Sequence, residues 1–513
     1  MDPIRIQQLL AVLCVFISGI AFLYFPYKTC KQKTTTLDGF LLANQNIVGN
    51  EFANTFSVAG VALAGNIAFF IVAHREYGYL MGLGPIFYTV SQLLFLYIFK
   101  KVPINFLQIR SLADIWTKVF SGKNKVIART IAITCAFSCI MTVFAEILVG
   151  SEMISIFLPS NPIYKALTFF FLGLVVLGYV SYGGYKAVIK TDGWQFTVLL
   201  FTTATMIYFA ISSPILNNST PYEIVTKLFT YEAKGNFLLC FLIWAIWINI
   251  SGAFTDMALW HRMAASVSMQ EALNGFIRGL WKWFAIFMLP MMCFVLLYLK
   301  GNHYDKMPEF LAIIQSQSGI LGYIIFPMIV LGFASALFST ADTYMIAAMY
   351  TLCDCNTLLP TLEKIPAEKR EVTIKKYLAI FVITLAFCLA IFYYAQHSAI
   401  SNAIMPILFA IWGITGIEAP LLIYAIYRLI KKKPAFPLTT LQNYIIIFSL
   451  STGWSSIIYT SYLGNDLYSQ LALLISSILV IIAMVISFNI YKLLDICNYL
   501  LRREKNNPLF YSR

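Results

Sequence analysis

A succession of apolar runs, each about 20 residues long, constrains this 513-residue chain more than any other feature. A helix of that length spans the hydrocarbon of a bilayer, about 30 Å thick at about 1.5 Å per residue. No water reaches the backbone there, so each segment satisfies its own N–H and C=O groups by becoming helical. A membrane β-barrel requires short alternating segments instead, and these are not seen. About thirteen runs can be counted, among them 51–74, 130–158, 166–182, 194–214, 236–256, 320–352, 377–396 and 399–427. The expectation is an all-α polytopic membrane protein with about 13 transmembrane helices. Only 12% of residues are charged and 60% are hydrophobic, whereas soluble domains are about a quarter charged. The polar intervals are linker-sized and hold no sizeable soluble domain.

The net charge of +13 has a topological reading. With the N-terminus outside, Lys and Arg concentrate on the inner loops and the C-terminal tail, as the positive-inside rule requires. The expected location is the cell (inner or plasma) membrane, with the C-terminus in the cytoplasm. The bilayer thus accounts for the charge, and no nucleic-acid partner is expected. The first run is too long for a signal-peptide core and lacks a small-residue cleavage site. The ten Cys residues fall in spans or on the inner side, which argues against an oxidised disulfide framework. Neither the Cys353–Cys355 pair nor the four scattered His residues (His74, His261, His303, His397) form a zinc motif. No phosphate loop, HExxH or Ser/His/Asp set is present, so no enzyme is expected. No repeated filter loop suggests a channel. Asn217 and Asn218 each begin an N-x-Ser/Thr pattern on an outer loop.

Two spans are interrupted. In the second, NTFSVAGVALAGNIAFF, the Gly60–Gly65 segment has weak helix propensity and no bulky side chain. That composition suits either an unwound helix with carbonyls facing a cavity or a close helix contact through small residues. In the seventh, WINISGAFTDMALWHR sets Asn249, Ser251, Gly252 and Asp256 in an apolar run. Interrupted spans in matching positions point to inverted repeats around a midplane site. Residues 51–215 (spans 2–6) and 216–430 (spans 7–11) form the halves. Residues 1–50 hold the first helix and an inner loop; residues 431–513 hold two peripheral helices and a cytoplasmic tail.

The ninth span carries LGFASALFSTADTYM, residues 331–345. Ala336, Ser339, Thr340 and Thr343 recur at i, i+3, i+4, i+7 and share one helix face. Such a hydroxyl strip can ligate a cation or bond across a helix interface. Charged groups at membrane depth mark pathways or pairs; here they are Glu146, Asp256, Lys282, Asp342 and Glu418. Asp256 and Asp342 are expected at inner span ends, solvated or capping. Glu146 and Glu418 read as protonated structural residues or as partners of a cation such as Lys282. Asp192, between the fifth and sixth spans, reads either as the N-cap of the sixth or as an acidic ion ligand. A solute cavity should be lined by spans 2, 4, 7 and 11, where Asn66, Trp247, Asn249 and Ser251 serve as substrate contacts or as packing. The segment RSLADIWTKVF reads as a short amphipathic helix on the inner surface.

Three stretches carry a family resemblance. LDGFLLANQNI is similar to an Asp-Tyr/Phe-Phe-Leu-Ala/Gly-Gly-Arg motif, with Gln45 near the place of the Arg. SYGGYKAVIKTDGWQ matches a GG-x-x-AV-x-x-TD-x-x-Q signature through Gly183, Gly184, Ala187, Val188, Thr191, Asp192 and Gln195. FASALFSTADTYM is similar to an A-x-M/L-S-S/T-x-D-S core. Together they resemble the sodium/solute symporter family, the group of the sodium/proline, sodium/pantothenate and sodium/galactose symporters. The resemblance implies a five-plus-five inverted-repeat transporter core and a sodium site between spans 2 and 9. Its ligands would be the carbonyls of Ala336, Thr55 and Val58 and the hydroxyls of Ser339 and Thr340. Asp192, Ser339 and Thr343 match the place of a second sodium found in some members.

The resulting expectation is a secondary active transporter that carries a small organic solute into the cell with Na⁺ by alternating access. An amino acid, another small carboxylate or a neutral solute all fit. Two alternatives remain: proton coupling in the same fold through Glu146, Asp192 or Glu418, and a transporter-like sensor.

Overall fold

Membrane-length helices form over many of the apolar runs, though not all thirteen are seen among the described residues. The computed structural model describes residues 3–29, 37–71, 83–101, 112–120, 126–158, 162–214, 243–300, 304, 307–317, 319–354, 404–434, 438–463 and 466–505. The tenth span expected at 377–396, the linker before it, Cys355, Asn217, Asn218, His74, His303 and His397 lie outside the described residues. Among the described residues no β-strand occurs; the nearest approach is an isolated bridge between Ile47 and Ser266. Seven described helices are long and apolar enough to cross a membrane, and a bent pair makes an eighth.

The chain opens with α1 (Pro3–Thr29) and the short α2 (Leu37–Leu42). The second expected span is two helices, α3 (Gly49–Ala59) and α4 (Leu63–Ile71), bent by 47° at the break. Next come α5 (Leu83–Lys101), α6 (Leu112–Val119) and α7 (Val126–Ser155). The α6 helix buries Leu112, Ile115, Trp116 and Val119, while Asp114 and Lys118 pair at 2.8 Å on its other side.

The helical stretch α8 (Pro162–Ser212) covers both the fifth and sixth expected spans. Straight, its 51 residues would reach about 77 Å, more than twice the hydrocarbon thickness. Gly184, at φ 57° and ψ −145°, turns it into two arms. A Cβ there would sit 2.3 Å from the Phe40 carbonyl oxygen, so glycine serves both the backbone angle and the close approach. The segment expected to link the two spans is therefore helical on both sides of Gly184. Asp192 lies inside the second arm and does not cap it, because the arm begins at the glycine turn.

The seventh expected span is also broken. A π-helical turn, Ile243–Ile248, leads into α9 (Asn249–Thr255), and α10 (Met257–Ala265) follows Asp256, whose ψ of 98° ends the first piece. The remaining helices are α11 (Met269–Leu299), α12 (Met307–Gln317), α13 (Gly322–Asp354), α14 (Ile404–Ile430), α15 (Thr440–Tyr462) and α16 (Asp466–Lys505).

Two packings position the site. The α13 helix lies against α7 and both α1 and α8, with its 332–343 stretch fully enclosed. The α3 helix lies on α11, where Gly275 and Gly279 admit the Phe52 and Phe56 rings; a Cβ at Gly279 would be 2.8 Å from Phe56. Enclosure corrects one expectation. Asp342 is completely buried, not solvated at a span end, and Tyr179 donates its hydroxyl to Asp342 Oδ2 at 2.6 Å.

Candidate ion and solute site

The break between α3 and α4 turns one carbonyl outward. Gly60 N–H donates to Phe56 O at 3.1 Å and Val61 N–H to Val58 O at 3.0 Å, closing the last turn of α3. Ala62 then takes a positive φ of 42°, rare for a residue with a Cβ, and α4 starts at Leu63. The Ala59 carbonyl points to α13 and accepts from Thr340 Oγ1 at 3.1 Å. Beside it, Ser339 Oγ donates to Asp192 Oδ1 at 2.5 Å. Asp192 Oδ2 and Ser335 Oγ are buried without a partner.

Oxygens from three helices thus meet here: a carbonyl from α3, hydroxyls from α13 and a carboxylate from α8. Hard oxygen donors of this kind suit a small hard cation, and an unwound helix supplies carbonyls without adding charge. Ser339 and Asp192, which the family resemblance sets side by side, are in contact, and Thr340 next to Ser339 reaches the Ala59 carbonyl. Ala336 and Thr343 are fully buried one turn away on the same helix. Thr55 and Val58 lie lower on α3: the Thr55 hydroxyl donates to Phe52 O at 3.0 Å, and the Val58 carbonyl is used by Val61. The carbonyl that reaches Thr340 is Ala59, one residue beyond Val58.

The break is braced from other helices and from α4 itself. Gly60 O accepts from Trp283 Nε1 of α11 at 2.9 Å and from Asn66 Nδ2 at 2.8 Å. Glu146 of α7 receives Leu63 N–H at 2.8 Å on Oε2, and Ala64 and Gly65 N–H at 3.0 and 3.2 Å on Oε1. Glu146 stood out in the sequence as a membrane-depth acid, but nothing local announced that its partners were backbone N–H groups. Trp283 carried no sequence signal beyond its size.

A cavity of about 190 Å³ adjoins the break, with Ala59, Thr340, Asn66, Glu146, Asn249 and Arg262 in its wall. Asn66 and Asn249 therefore face it as expected of substrate contacts. Trp247 does not line it; its Nε1 donates to Ser477 Oγ of α16 at 3.0 Å. Ser251 is buried, donates to Ile248 O at 3.1 Å and lies against Gly416 of α14. Asp256 caps α10, accepting from Ala258 N–H at 2.9 Å. Lys282 pairs with neither Glu146 nor Glu418: it donates to Asn50 Oδ1 at 2.9 Å and Asn54 Oδ1 at 2.5 Å. Glu418 is held by the Thr134 hydroxyl and by Cys135 Sγ at 3.5 Å.

The helical fold is similar to that of solved transporters. A solved Na⁺-coupled sialic acid symporter, in a substrate-bound outward-open state, superposes with a TM-score of 0.66 at 13% identity, covering 94% of this chain and 97% of that one. A manganese transporter of Eremococcus coleocola gives 0.51 at 13% identity, over 85% and 94% of the two chains. Mhp1, a nucleobase-cation-symport-1 family transporter in a closed conformation with bromovinylhydantoin bound, gives 0.50 at 14% identity, over 87% and 93%. At these identities the likeness is one of fold. No protein-family profile matches the sequence, and no curated protein matches it.

Proposed function

We propose that the protein is a sodium-coupled symporter that imports a small organic solute by alternating access, a member of the sodium/solute symporter family that its motifs resemble. The observation that carries this reading is the convergence of Ala59 O, Thr340 Oγ1, Ser339 Oγ and Asp192 at the break of a membrane-spanning helix. Two of the structures sharing its fold are Na⁺- or cation-symport proteins by description, which supports the same reading. The N-terminus is assigned to the outside and the C-terminus to the cytoplasm from the charge bias.

An ion at this point touches the broken helix and α13 at once. Binding therefore fixes the relative position of α3 and α13, and release frees it, which is what coupling requires. One Na⁺ crossing ~100 mV yields ~2.3 kcal/mol, and a tenfold gradient adds ~1.4 kcal/mol. Together they sustain a solute gradient of roughly several hundred-fold per ion. The test is uptake into proteoliposomes with an imposed sodium gradient against a matched potassium gradient. Accumulation that needs sodium supports the reading; uptake driven by a proton gradient in sodium-free buffer at low pH replaces it with proton coupling.

A further inference from the structure

The segment between α2 and α3 is zipped onto the segment between α10 and α11. Ile47 N–H donates to Ala265 O at 3.3 Å, and Val267 N–H donates back to Ile47 O at 3.0 Å, forming the parallel bridge between Ile47 and Ser266. Gln45, near the place of the Arg in the family motif, donates its Nε2 to Ala264 O at 3.1 Å. His261 Nε2 donates to Leu41 O at 2.6 Å, the role a carbonyl partner leaves it. Gly49 N–H donates to Glu271 Oε2 at 2.6 Å. These bonds tie the entry of the first broken span to the exit of the second. Both spans supply the cavity wall, through Phe56 and Ala59 on one side and Met257 and Arg262 on the other.

Two features mark this seam as one that parts. Ala43, Asn44 and Gln45 take φ values of 49°, 57° and 55° in succession. A left-handed run of residues with Cβ atoms is strained, and it persists only while its surroundings hold it. The other feature is the carboxylate of Glu271, third residue of α11. Its N–H donates to Oγ of the N-cap Ser268 at 3.2 Å, half of a capping box. In the full box the side chain at that position returns to the N-cap N–H, as Gln442 does to Thr439 at the start of α15. The Glu271 carboxylate crosses to α3 instead. It fits because residue 49 is glycine: a Cβ there would lie 2.9 Å from Glu271 Oε2 and 3.1 Å from Glu271 O.

We infer that the Glu271–Gly49 contact is the latch of an inner gate: engaged, it closes the side assigned to the cytoplasm, and it parts when that side opens. The inference rests on the alternating-access reading above. On opening, the carboxylate has the Ser268 N–H of its own helix as an alternative partner, and residues 43–45 are free to leave the left-handed region. The seam therefore has two arrangements of its own, as a gate requires. It is also joined to the ion site. Gly49 is the first residue of α3 and Ala59 the last, so one short helix carries the latch at one end and the carbonyl facing Thr340 at the other.

The test reads from which side the cavity is reached. Cys139 is a free thiol in the cavity wall. Its labelling by a membrane-impermeant methanethiosulfonate is followed by mass spectrometry in inside-out and right-side-out vesicles carrying the full chain, with C139S as background. G49A puts a methyl group into the closed latch but places alanine at an ordinary helix position in the open one. It should raise the ratio of cytoplasmic to outer labelling about fivefold or more, the range set by an overpacked contact. E271A should move the ratio the same way but less, since it also loses its alternative partner in the open state. A wild-type ratio in G49A, or a rise equal from both sides, overturns the latch. Should G49A not fold, Q45A trims an exposed side chain of the same seam, and an unchanged ratio there overturns it equally. Sodium against potassium on the wild type reads the ion separately: sodium should lower the ratio. A G49A shift with no sodium effect sinks the sodium reading and leaves the latch; a sodium effect with G49A at the wild-type ratio does the reverse.

Discussion

The Thr340 hydroxyl of α13 donates to the Ala59 carbonyl of α3 at 3.1 Å, joining two helices 281 residues apart in sequence. It does so where α3 ends, so the acceptor exists only because the helix breaks. Removing Thr340 and Ser339 hydroxyls together should abolish sodium-stimulated uptake while the protein still folds. Each hydroxyl bound to a cation is worth about 1.5–3 kcal/mol, or roughly tenfold or more in half-saturating sodium. S339A and T340A singly should therefore raise that concentration at least about tenfold each. Normal sodium dependence in the double variant would remove these residues from the ion site.

Asp192 offers a second, separable test. Asp192→Asn keeps an acceptor for Ser339 Oγ, now 2.5 Å from Oδ1, but removes the charge of a carboxylate whose Oδ2 is buried without a partner. If Asp192 holds the second ion that the family resemblance implies, beside the one at Ala59 and Thr340, the variant should lose the steepness of sodium activation, its Hill coefficient falling towards one. Transport with one ion should persist. An unchanged sodium curve would make Asp192 a structural partner of Ser339 and nothing more.

The geometry around these residues was partly legible beforehand. The spacing of Ala336, Ser339, Thr340 and Thr343 placed them on one face, and the small residues of Gly60–Gly65 marked where the second span would break. The residue at which α3 stops was not legible, because tertiary contacts decide it. Trp283 holds Gly60 O together with the nearby Asn66, and Glu146 holds the start of α4; Trp283 and Glu146 act from positions no local pattern links. Hence the carbonyl facing Thr340 is Ala59, whereas the family resemblance implies Thr55 and Val58. Of the two readings of Asp192, helix cap or ion ligand, the cap fails for a similar reason: the arm's true start is Gly184, whose turn depends on the close passage of Phe40. Trp247 read as a cavity residue, but its N–H finds Ser477 on α16, a partner supplied by a helix outside the expected repeats.

Gly184 should tolerate no side chain. Gly184→Ala places a Cβ 2.3 Å from a backbone oxygen, at a φ of 57° and ψ of −145° that L residues avoid. Backbone cannot swing aside as a flexible side chain can. The expected cost is about 3 kcal/mol or more, from the clash and the strained dihedrals together. Thermal unfolding in detergent should show a lowered midpoint and poor recovery of folded protein; a wild-type midpoint would mean that the turn is looser than its contacts imply.

The two donors on Gly60 O can be weighed against each other. Trp283→Phe keeps the ring that fills the space above Gly60 but removes the N–H, and Asn66→Ala removes the other donor. Either single change leaves the carbonyl one partner and should cost about 0.5–1.5 kcal/mol. The double variant leaves a carbonyl at the break with neither donor, adding roughly a further 1–3 kcal/mol. A double-mutant cycle on unfolding free energy should thus give a coupling above the level of independent sites, about 0.5 kcal/mol. Hydrogen exchange would localise the loss to residues 59–65, since those N–H groups lose protection when the break is no longer held. Strict additivity, with no change in exchange there, would show that Glu146 alone holds the break and that the bonds to Gly60 are incidental to it.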